Sequence, residues 1–310
     1  MSRVVLIAEF VRDLPWSRTR WAVALARAYK TLGHEVTLIA DGVDDAHELE
    51  LLGVTVRVRR PLRPSEDTQP ARFARFATHE LAAASADVAI SLTWLVPAAI
   101  WLPVEQAPWP RFRELVGEGS IVSLAFESVQ QRWLPTAMLA AHRSKRSGAT
   151  SIQTTDLGLA AIDRVPAEQE RGAMRAGLRE SLGIQDDERI VLASLVQQRP
   201  KRLADALAWA DANKGRLLVL ANEWYSIRRA FERAHMVDRL ITLGTTREPG
   251  AAVAACDGVL LAGQLGTGRL AALAIAMGKP IESVRPLPEA ITTARDVSLG
   301  SFAQRLLEQA

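Results

Sequence analysis

Short apolar segments alternate with amphipathic stretches in the second half of the chain, about once every 22 residues. This alternation limits the possible folds more than any other feature of the sequence. The apolar segments predict buried strands at 190–193, 217–221, 240–243, 258–261 and 280–284. Helices are predicted to begin near Lys201, Ile227, Gly250 and Arg269. Strands joined by helices pair in parallel, and ligands of such sheets bind at the carboxyl ends of the strands.

The first half shows the same alternation with less regular spacing. It predicts strands at 4–8, 35–40, 55–58, 88–92, 99–104, 121–124 and 151–154. Its helices are predicted at 17–32, 44–52, 71–84 and 128–147. Because 310 residues exceed the size at which one hydrophobic core keeps growing, two domains are expected.

The boundary between these domains is predicted at Val165 and Pro166, just before a highly charged helix at 167–182 that would suit a connector. Residues 1–165 would form the first domain and residues 166–310 the second. We therefore expect an α/β fold in which two Rossmann-like domains face each other across a cleft.

Composition excludes several classes of protein. The single cysteine, Cys256, cannot form an internal disulfide, so a cytoplasmic location is the default expectation. No segment is long and apolar enough to span a bilayer, and a net charge of +3 does not require a nucleic-acid partner. The five histidines show no metal-binding spacing, so no metal is expected.

The basic segment from His142 to Arg146 would contact anionic lipid peripherally at the inner face of the membrane, or form a solvated helix face.

The segment LLAGQLGTGRLAALAIAMGKPIES carries the clearest chemical signal. An apolar strand leads into Gly263, Gly266 and Gly268 and then into a helix. Backbone N–H groups at the start of that helix would bind an anion, and Arg269 would add a positive charge in the first turn. The alternative is a tight turn between strand and helix that binds no ligand.

The sequence resembles a family along most of residues 1–284. The segment CDGVLLAGQLGTGRLAALAIAMGKPIES resembles the C-terminal signature of retaining GT-B glycosyltransferases similar to glycosyltransferase family 4. The segments RESLGIQDDERIVLASLVQQRPKRLADAL and VDRLITLGTTREPGAAVAACDGVLL resemble the preceding blocks of that family, in the same order. More narrowly, HELAAASADVAISLTWLVPAAIW is similar to part of the lipopolysaccharide core glucosyltransferases.

This resemblance implies a hexosyltransferase of cell envelope biosynthesis that moves a hexose from a nucleotide sugar to a glycan or glycolipid acceptor. The nucleotide would lie on the second domain and the acceptor on the first. The donor is a substrate, and no cofactor is implied. Because the departing diphosphate can accept the acceptor proton, a retaining enzyme of this kind needs no protein nucleophile, and stabilising the leaving group dominates catalysis.

The resemblance also implies roles for individual residues. Lys201 and Arg199 would neutralise the donor diphosphate, although RPKR could equally be a solvated helix start, and Glu105 would occupy the position of a catalytic acidic or histidine residue. The donor-binding residues would be Gly266, Thr267, Gly268, Arg269, Gln264, Asn222 and Glu223. The acceptor-binding residues would be Glu9, Arg12, Arg18 and Trp94. As alternatives, the three charged residues would be solvated loop charges and Trp94, like Trp101, a core residue.

The sequence departs from the family pattern at residues 15–18, where the family has a Gly-Gly loop, around Ser194, where it has an arginine, and at two positions where it has carboxylates. Family members carry two glutamates, eight residues apart, that contact the ribose and the sugar of the donor. Leu265 and Leu273 occupy these positions here. A second hypothesis follows from this loss: the chain would be a catalytically reduced GT-B homologue that acts as a binding or partner protein.

Overall fold

The structure is a computed structural model of the 310-residue chain. It describes residues 1–11, 20–43, 46–59, 69–93, 95–96, 98–102, 123–126, 153–195, 200–213, 215–221, 224–244, 249–263 and 268–309. The chain divides into two compact units. The first comprises Met1–Gly158 and Leu299–Ala310, and the second comprises Leu159–Ser298.

The first unit contains a seven-stranded parallel sheet. Its strands are β1 (Arg3–Val11), β2 (Glu35–Val43), β3 (Thr55–Val58), β4 (Val88–Ser91), β5 (Ile100–Trp101), β6 (Ser123–Phe126) and β7 (Gln153–Asp156). Its described helices before residue 158 are α1 (Arg20–Thr31), α2 (Ala46–Leu51) and α3 (Gln69–Ala83). The spatial order β3-β2-β1-β4-β5-β6-β7 is that of a Rossmann-like sheet. Successive strands are added on one side of β1 up to β3 and on its other side from β4 onward, so the topological switch point lies between β1 and β4.

The second unit repeats this plan with five parallel strands. The strands are β8 (Ile190–Ser194), β9 (Arg216–Leu220), β10 (Leu240–Leu243), β11 (Gly258–Leu260) and β12 (Ile281–Glu282). The helices are α4 (Glu168–Ser181), α5 (Pro200–Ala212), α6 (Trp224–Arg233), α7 (Pro249–Ala255), α8 (Gly268–Ala276) and α9 (Glu289–Thr292). The order is β10-β9-β8-β11-β12, so the topological switch point of this sheet lies between β8 and β11. The prediction of two Rossmann-like α/β domains is confirmed.

Burial explains why the central strands read as continuous apolar runs. Every residue of β8 is buried, as expected for a parallel strand with both sheet faces covered. One face packs on Trp209 of α5 and on Ile227 and Phe231 of α6. Apolar burial of this kind stabilises the unit by about 25 cal/mol for each Å² removed from water.

A terminal helix, α10 (Leu299–Leu307), belongs to the first unit and not to the second. Its buried residue Phe302 contacts Trp21 of α1, with ring centroids 5.2 Å apart. The buried hydroxyl of Tyr29 donates a hydrogen bond to the Ala303 carbonyl oxygen at 3.2 Å. The predicted division into 1–165 and 166–310 therefore differs from the structure, because the apolar face of α10 is buried against α1 and the boundary falls seven residues earlier.

The charged helix α4 is packed into the second unit through its arginines. Arg179 is only 1% exposed, and its guanidinium donates hydrogen bonds to the carbonyl oxygens of Ala255, Gln185, Asp186 and Glu188. The Ala255 carbonyl lies at the C-terminus of α7, where backbone carbonyls have no partner within the helix. A buried guanidinium thus satisfies both this helix end and the turn before β8.

Asp257 extends the same cluster. Its carboxylate accepts hydrogen bonds from the Ile190 N–H at 2.8 Å and from Arg175 at 2.8 Å. Burial opposes ionisation of this carboxyl group, but the two hydrogen bonds together with the charges of Arg175 and Arg179 outweigh it and lower the pKa of Asp257. The cluster therefore joins α4 to the start of β8, and it retains its charge at neutral pH.

Replacing the buried guanidinium should destabilise the second unit. Arg179→Met fills a similar volume but leaves several carbonyl oxygens without donors, which should cost about 3 kcal/mol, or roughly 10 °C in Tm. Arg228→Met is the matched control, because Arg228 is exposed and pairs only with Glu232 on the same helix. Thermal unfolding of both variants measures the difference. Equal Tm values for the two variants would contradict the structural role of Arg179.

Candidate functional site

The site is built at the carboxyl ends of β8 and β11, which flank the topological switch point of the second sheet. These strands pair from Gly258 to Leu260, and β8 ends one residue further on, at Ser194. The segment after β8 leads into α5, and the segment after β11 leads into α8. Adjacent loops that leave a parallel sheet in opposite directions open a crevice at the carboxyl edge, and ligands of this sheet type bind there.

Gly263 follows β11 and is held in place by α5. Its backbone has φ of +67°, and its N–H donates a hydrogen bond at 2.9 Å to Oδ2 of Asp205, a residue that is 4% exposed. A Cβ at this position would lie 2.5 Å from Cγ of the buried Arg202. Both the backbone conformation and this close approach therefore require glycine.

Arg285 follows β12 and contacts the same aspartate. Its Nε and Nη2 each lie 3.0 Å from Oδ1 of Asp205. The carboxylate of Asp205 therefore joins three segments of the carboxyl edge, which follow β8, β11 and β12. Sequence reasoning missed Asp205 and Arg285. The available signals were the four-residue spacing from Lys201 to Asp205 on one helix and the position of Arg285 just after a predicted strand.

The structure describes three of the residues predicted at the donor site. Lys201 is the second residue of α5, and its side chain is exposed at the carboxyl edge. Gly268 begins α8, and Arg269 follows it. The guanidinium of Arg269 forms a two-point ion pair with Asp163, through Nη2 at 2.7 Å and Nε at 3.3 Å. Because Asp163 is 2% exposed and Arg269 is 16% exposed, most of this positive charge is already compensated.

Other predicted site residues lie outside the described part of the chain. They are Arg199, Glu105, Gly266, Thr267, Gln264, Asn222, Glu223, Arg12, Arg18 and Trp94, together with Leu265 and the basic segment at 142–146. Glu9 is described and lies partly buried in β1 of the first unit. Their roles stay predictions.

The described tryptophans behave in two ways. Trp101 is a core residue, as its alternative interpretation proposed, and its buried indole donates to the Thr93 carbonyl at 2.8 Å. Trp224, which sequence reasoning did not consider, is 49% exposed at the start of α6, with its ring centroid 6.2 Å from that of exposed Tyr225. Trp224 lies three residues before Ile227, so it falls on the same face of α6 as the buried residues Ile227 and Phe231. It stays exposed at the start of this helix, which follows the carboxyl end of β9. An uncovered aromatic surface therefore lies at the same edge of the sheet as Lys201.

Two features are absent from the described residues. No helix in this part of the chain is long and apolar enough to cross a membrane. No group of three or more histidine, cysteine, aspartate or glutamate side chains lies close enough together to hold a metal ion, again among the described residues.

Comparison with known proteins finds similarity in structure alone. No protein-family model matches the chain, and no curated protein matches it. A glycosyltransferase from Rickettsia africae has a TM-score of 0.65 at 11% identity, over 99% of this chain and 88% of that one. HepE of Anabaena, in complex with UDP and glucose, has a TM-score of 0.62 at 15% identity, over 99% of this chain and 89% of that one.

A third structure extends this similarity. WaaG, a glycosyltransferase involved in lipopolysaccharide biosynthesis, has a TM-score of 0.60 at 13% identity, over 99% of this chain and 90% of that one. The chain therefore has the two-domain fold of GT-B glycosyltransferases, as its sequence predicted. Identities this low establish the fold and nothing beyond it.

Substituting Gly263 tests whether its close packing is needed. Gly263→Ala should lower stability by more than the cost of a left-handed alanine, because its Cβ would also overlap Arg202. Gly183→Ala is the matched control, since Gly183 has φ of +64° and no atom within 4 Å of its added Cβ. The control should cost about 1 kcal/mol by thermal unfolding. A Gly263 variant as stable as the Gly183 variant would show that the loop yields easily.

Substituting Leu273 tests the position at which the family resemblance would place a glutamate. Leu273 is 0% exposed in α8, so Leu273→Glu would bury a carboxylate and raise its pKa. A raised pKa in the folded state means that stability falls as pH rises above about 4.3. The Tm of this variant should therefore fall further below that of wild type at pH 8 than at pH 4.5. The neutral variant Leu273→Gln should lose a similar amount of Tm at both pH values. A loss of Tm in Leu273→Glu that does not depend on pH would indicate that solvent or a cation reaches this position.

Proposed function

We propose that this protein is a glycosyltransferase that moves a hexose from a nucleotide sugar to a glycan or glycolipid acceptor, with retention of configuration. The observation that carries the proposal is the group of polar residues at the topological switch point of the second sheet. There, Asp205 holds Gly263 after β11, and Lys201 projects from the helix that follows β8. The similarity to glycosyltransferase structures over 99% of the chain supports it.

The donor would bind with its diphosphate at the N-termini of α5 and α8. Helix N-termini present free N–H groups and a positive end of the helix dipole, which favour phosphate. Lys201, Arg199 and the backbone of Gly266, Thr267 and Gly268 would stabilise the negative charge that develops as the bond to the sugar breaks. The departing phosphate oxygen would accept the proton of the acceptor hydroxyl, so the step needs neither a metal nor a further cofactor.

The nucleoside would require partners other than the family glutamates. Leu273 is buried within α8 and offers no hydrogen bond to a ribose. Gln264, Thr267, Asn222 and Glu223 are the proposed replacements, since each ribose hydroxyl buried without a partner costs about 1–3 kcal/mol. The exposed indole of Trp224 adds a surface on which a ring of the ligand can stack.

The acceptor would bind to the first unit through Glu9, Arg12, Arg18 and Trp94, with Glu105 as a catalytic group. WaaG acts in lipopolysaccharide biosynthesis, which supports a glycan or glycolipid acceptor and a role in the cell envelope. A cytoplasmic enzyme with peripheral contact at the inner membrane face fits such an acceptor. The basic segment at 142–146 would provide that contact.

Lys201 provides a direct test of the donor site. Lys201→Ala should weaken binding of UDP, GDP or ADP, whichever wild type binds, by about tenfold, because one charge-assisted phosphate contact is lost. Lys30→Ala is the matched control, since Lys30 lies in the last turn of α1, just before β2 begins at the opposite edge of its sheet. Calorimetry at fixed ionic strength measures both affinities. Equal affinity in wild type and Lys201→Ala would remove Lys201 from the site.

The activity itself is tested by incubating wild type with each nucleotide sugar and measuring the free nucleotide that is released. Release that increases with added glycan or glycolipid supports transfer. Nucleotide binding without release, across all donors and acceptors, would favour the catalytically reduced homologue. Failure of wild type to bind any of the three nucleotides would contradict the proposal.

A further inference from the structure

Arg285 differs from the other arginines in ion pairs of the second unit. Its side chain is 45% exposed, while the side chain of its partner Asp205 is only 6% exposed. In the Arg269–Asp163 pair, by contrast, both side chains are largely covered. Arg285 therefore presents its guanidinium outward from a carboxylate that solvent hardly reaches.

The hydrogen bonds explain this orientation. Nε and Nη2 of Arg285 both bind Oδ1 of Asp205, and Oδ2 accepts the Gly263 N–H. Within the part of the chain that the structure describes, Nη1 of Arg285 has no hydrogen-bond partner. One edge of the guanidinium is thus fixed by a buried carboxylate, and the opposite edge is available to a ligand. Preorganisation of this kind reduces the entropy lost when a side chain binds.

The charges around Gly263 favour an anion. Arg285 carries a positive charge there and Asp205 a negative charge, and exposed Lys201 adds a second positive charge one turn before Asp205 on α5. Strand β12 is the immediate neighbour of β11. Because neighbouring strands are about 4.8 Å apart and Asp205 bonds both residues, Arg285 lies within side-chain reach of a ligand at Gly263.

We propose that Arg285 is a binding residue for the phosphate groups of the nucleotide, and that Asp205 is the positioning residue that orients it. The inference rests on the proposed function and adds two residues to its site. The planar guanidinium suits phosphate oxygens, which it binds through two parallel N–H groups. Unlike the guanidinium of Arg269, which is largely covered in its pair with Asp163, the guanidinium of Arg285 keeps N–H groups exposed to a ligand.

The experiment compares ligands that differ in phosphate content. UDP, UMP and inorganic pyrophosphate are titrated by calorimetry, at two ionic strengths, into wild type, Arg285→Gln and Asp205→Asn. If UDP is not the nucleotide bound, GDP and GMP or ADP and AMP replace the uridine pair. Arg189→Gln is the matched control, because Arg189 is also exposed and also pairs with a carboxylate, Glu282, but precedes β8 at the opposite edge of the sheet.

Arg285→Gln should bind the diphosphate and pyrophosphate about tenfold more weakly than wild type, with a smaller loss for the monophosphate and a weaker dependence on salt. Arg189→Gln should match wild type. Asp205→Asn should weaken binding in the same order of ligands, and Arg285→Lys should restore only part of the affinity because an ammonium cannot form the two-point contact. Thermal unfolding of each variant separates loss of binding from loss of folding.

Three outcomes overturn the inference. The first is unchanged affinity in Arg285→Gln, and the second is an equal loss for all ligands with unchanged salt dependence, which would indicate a purely structural pair. The third is the absence of any nucleotide or pyrophosphate binding by wild type, which contradicts the proposed function as well. Pyrophosphate binding that depends on Arg285, without nucleotide binding, would support the inference while the proposed function fails.

Discussion

Both units depend on parallel strand pairing in sheets whose two faces are covered. A parallel sheet requires each strand to be reached by a crossover, and the crossover helices bury apolar residues on both faces. Strand β8 is buried along its whole length for this reason. The same constraint brings the segments that follow all strands to one edge. Chemistry is confined to that edge because the remaining surface of the sheet is occupied by packing.

Three aspartates organise the arginines of the second unit in three different ways. Asp257 ties α4 to β8 through Arg175, which is a connection inside the scaffold. Asp163 covers and neutralises Arg269 at the start of α8. Asp205 is also covered, but its arginine remains open to solvent. The same pairing of arginine with aspartate therefore has three roles, which depend on how exposed the two side chains are. It connects two elements at Asp257, compensates a positive charge at the start of a helix at Asp163, and leaves a guanidinium exposed at Asp205.

The sequence predicted the fold well because strands covered on both faces leave a simple apolar signal. The predicted segment 190–193 matches all but the last residue of β8, which is buried throughout, and Gly263 follows β11 as predicted. Contacts between distant side chains leave no such signal. The pairing of Arg269 with Asp163, 106 residues apart, converts a predicted free charge into a compensated one. Asp205 reaches Gly263 and Arg285 across 58 and 80 residues, and no local pattern indicates either contact.

The position of α10 has a consequence for how the chain folds during its synthesis. Domains generally fold as units as they leave the ribosome, starting from the N-terminus. Here the first unit lacks the helix that packs on Trp21 and Tyr29 until all of residues 159–298 have been made. The face of α1 that contacts α10 therefore stays uncovered while the second unit folds, although its other face packs on β1 and β2. The unit that is translated first is completed last, and its exposed face is where a chaperone would be expected to bind.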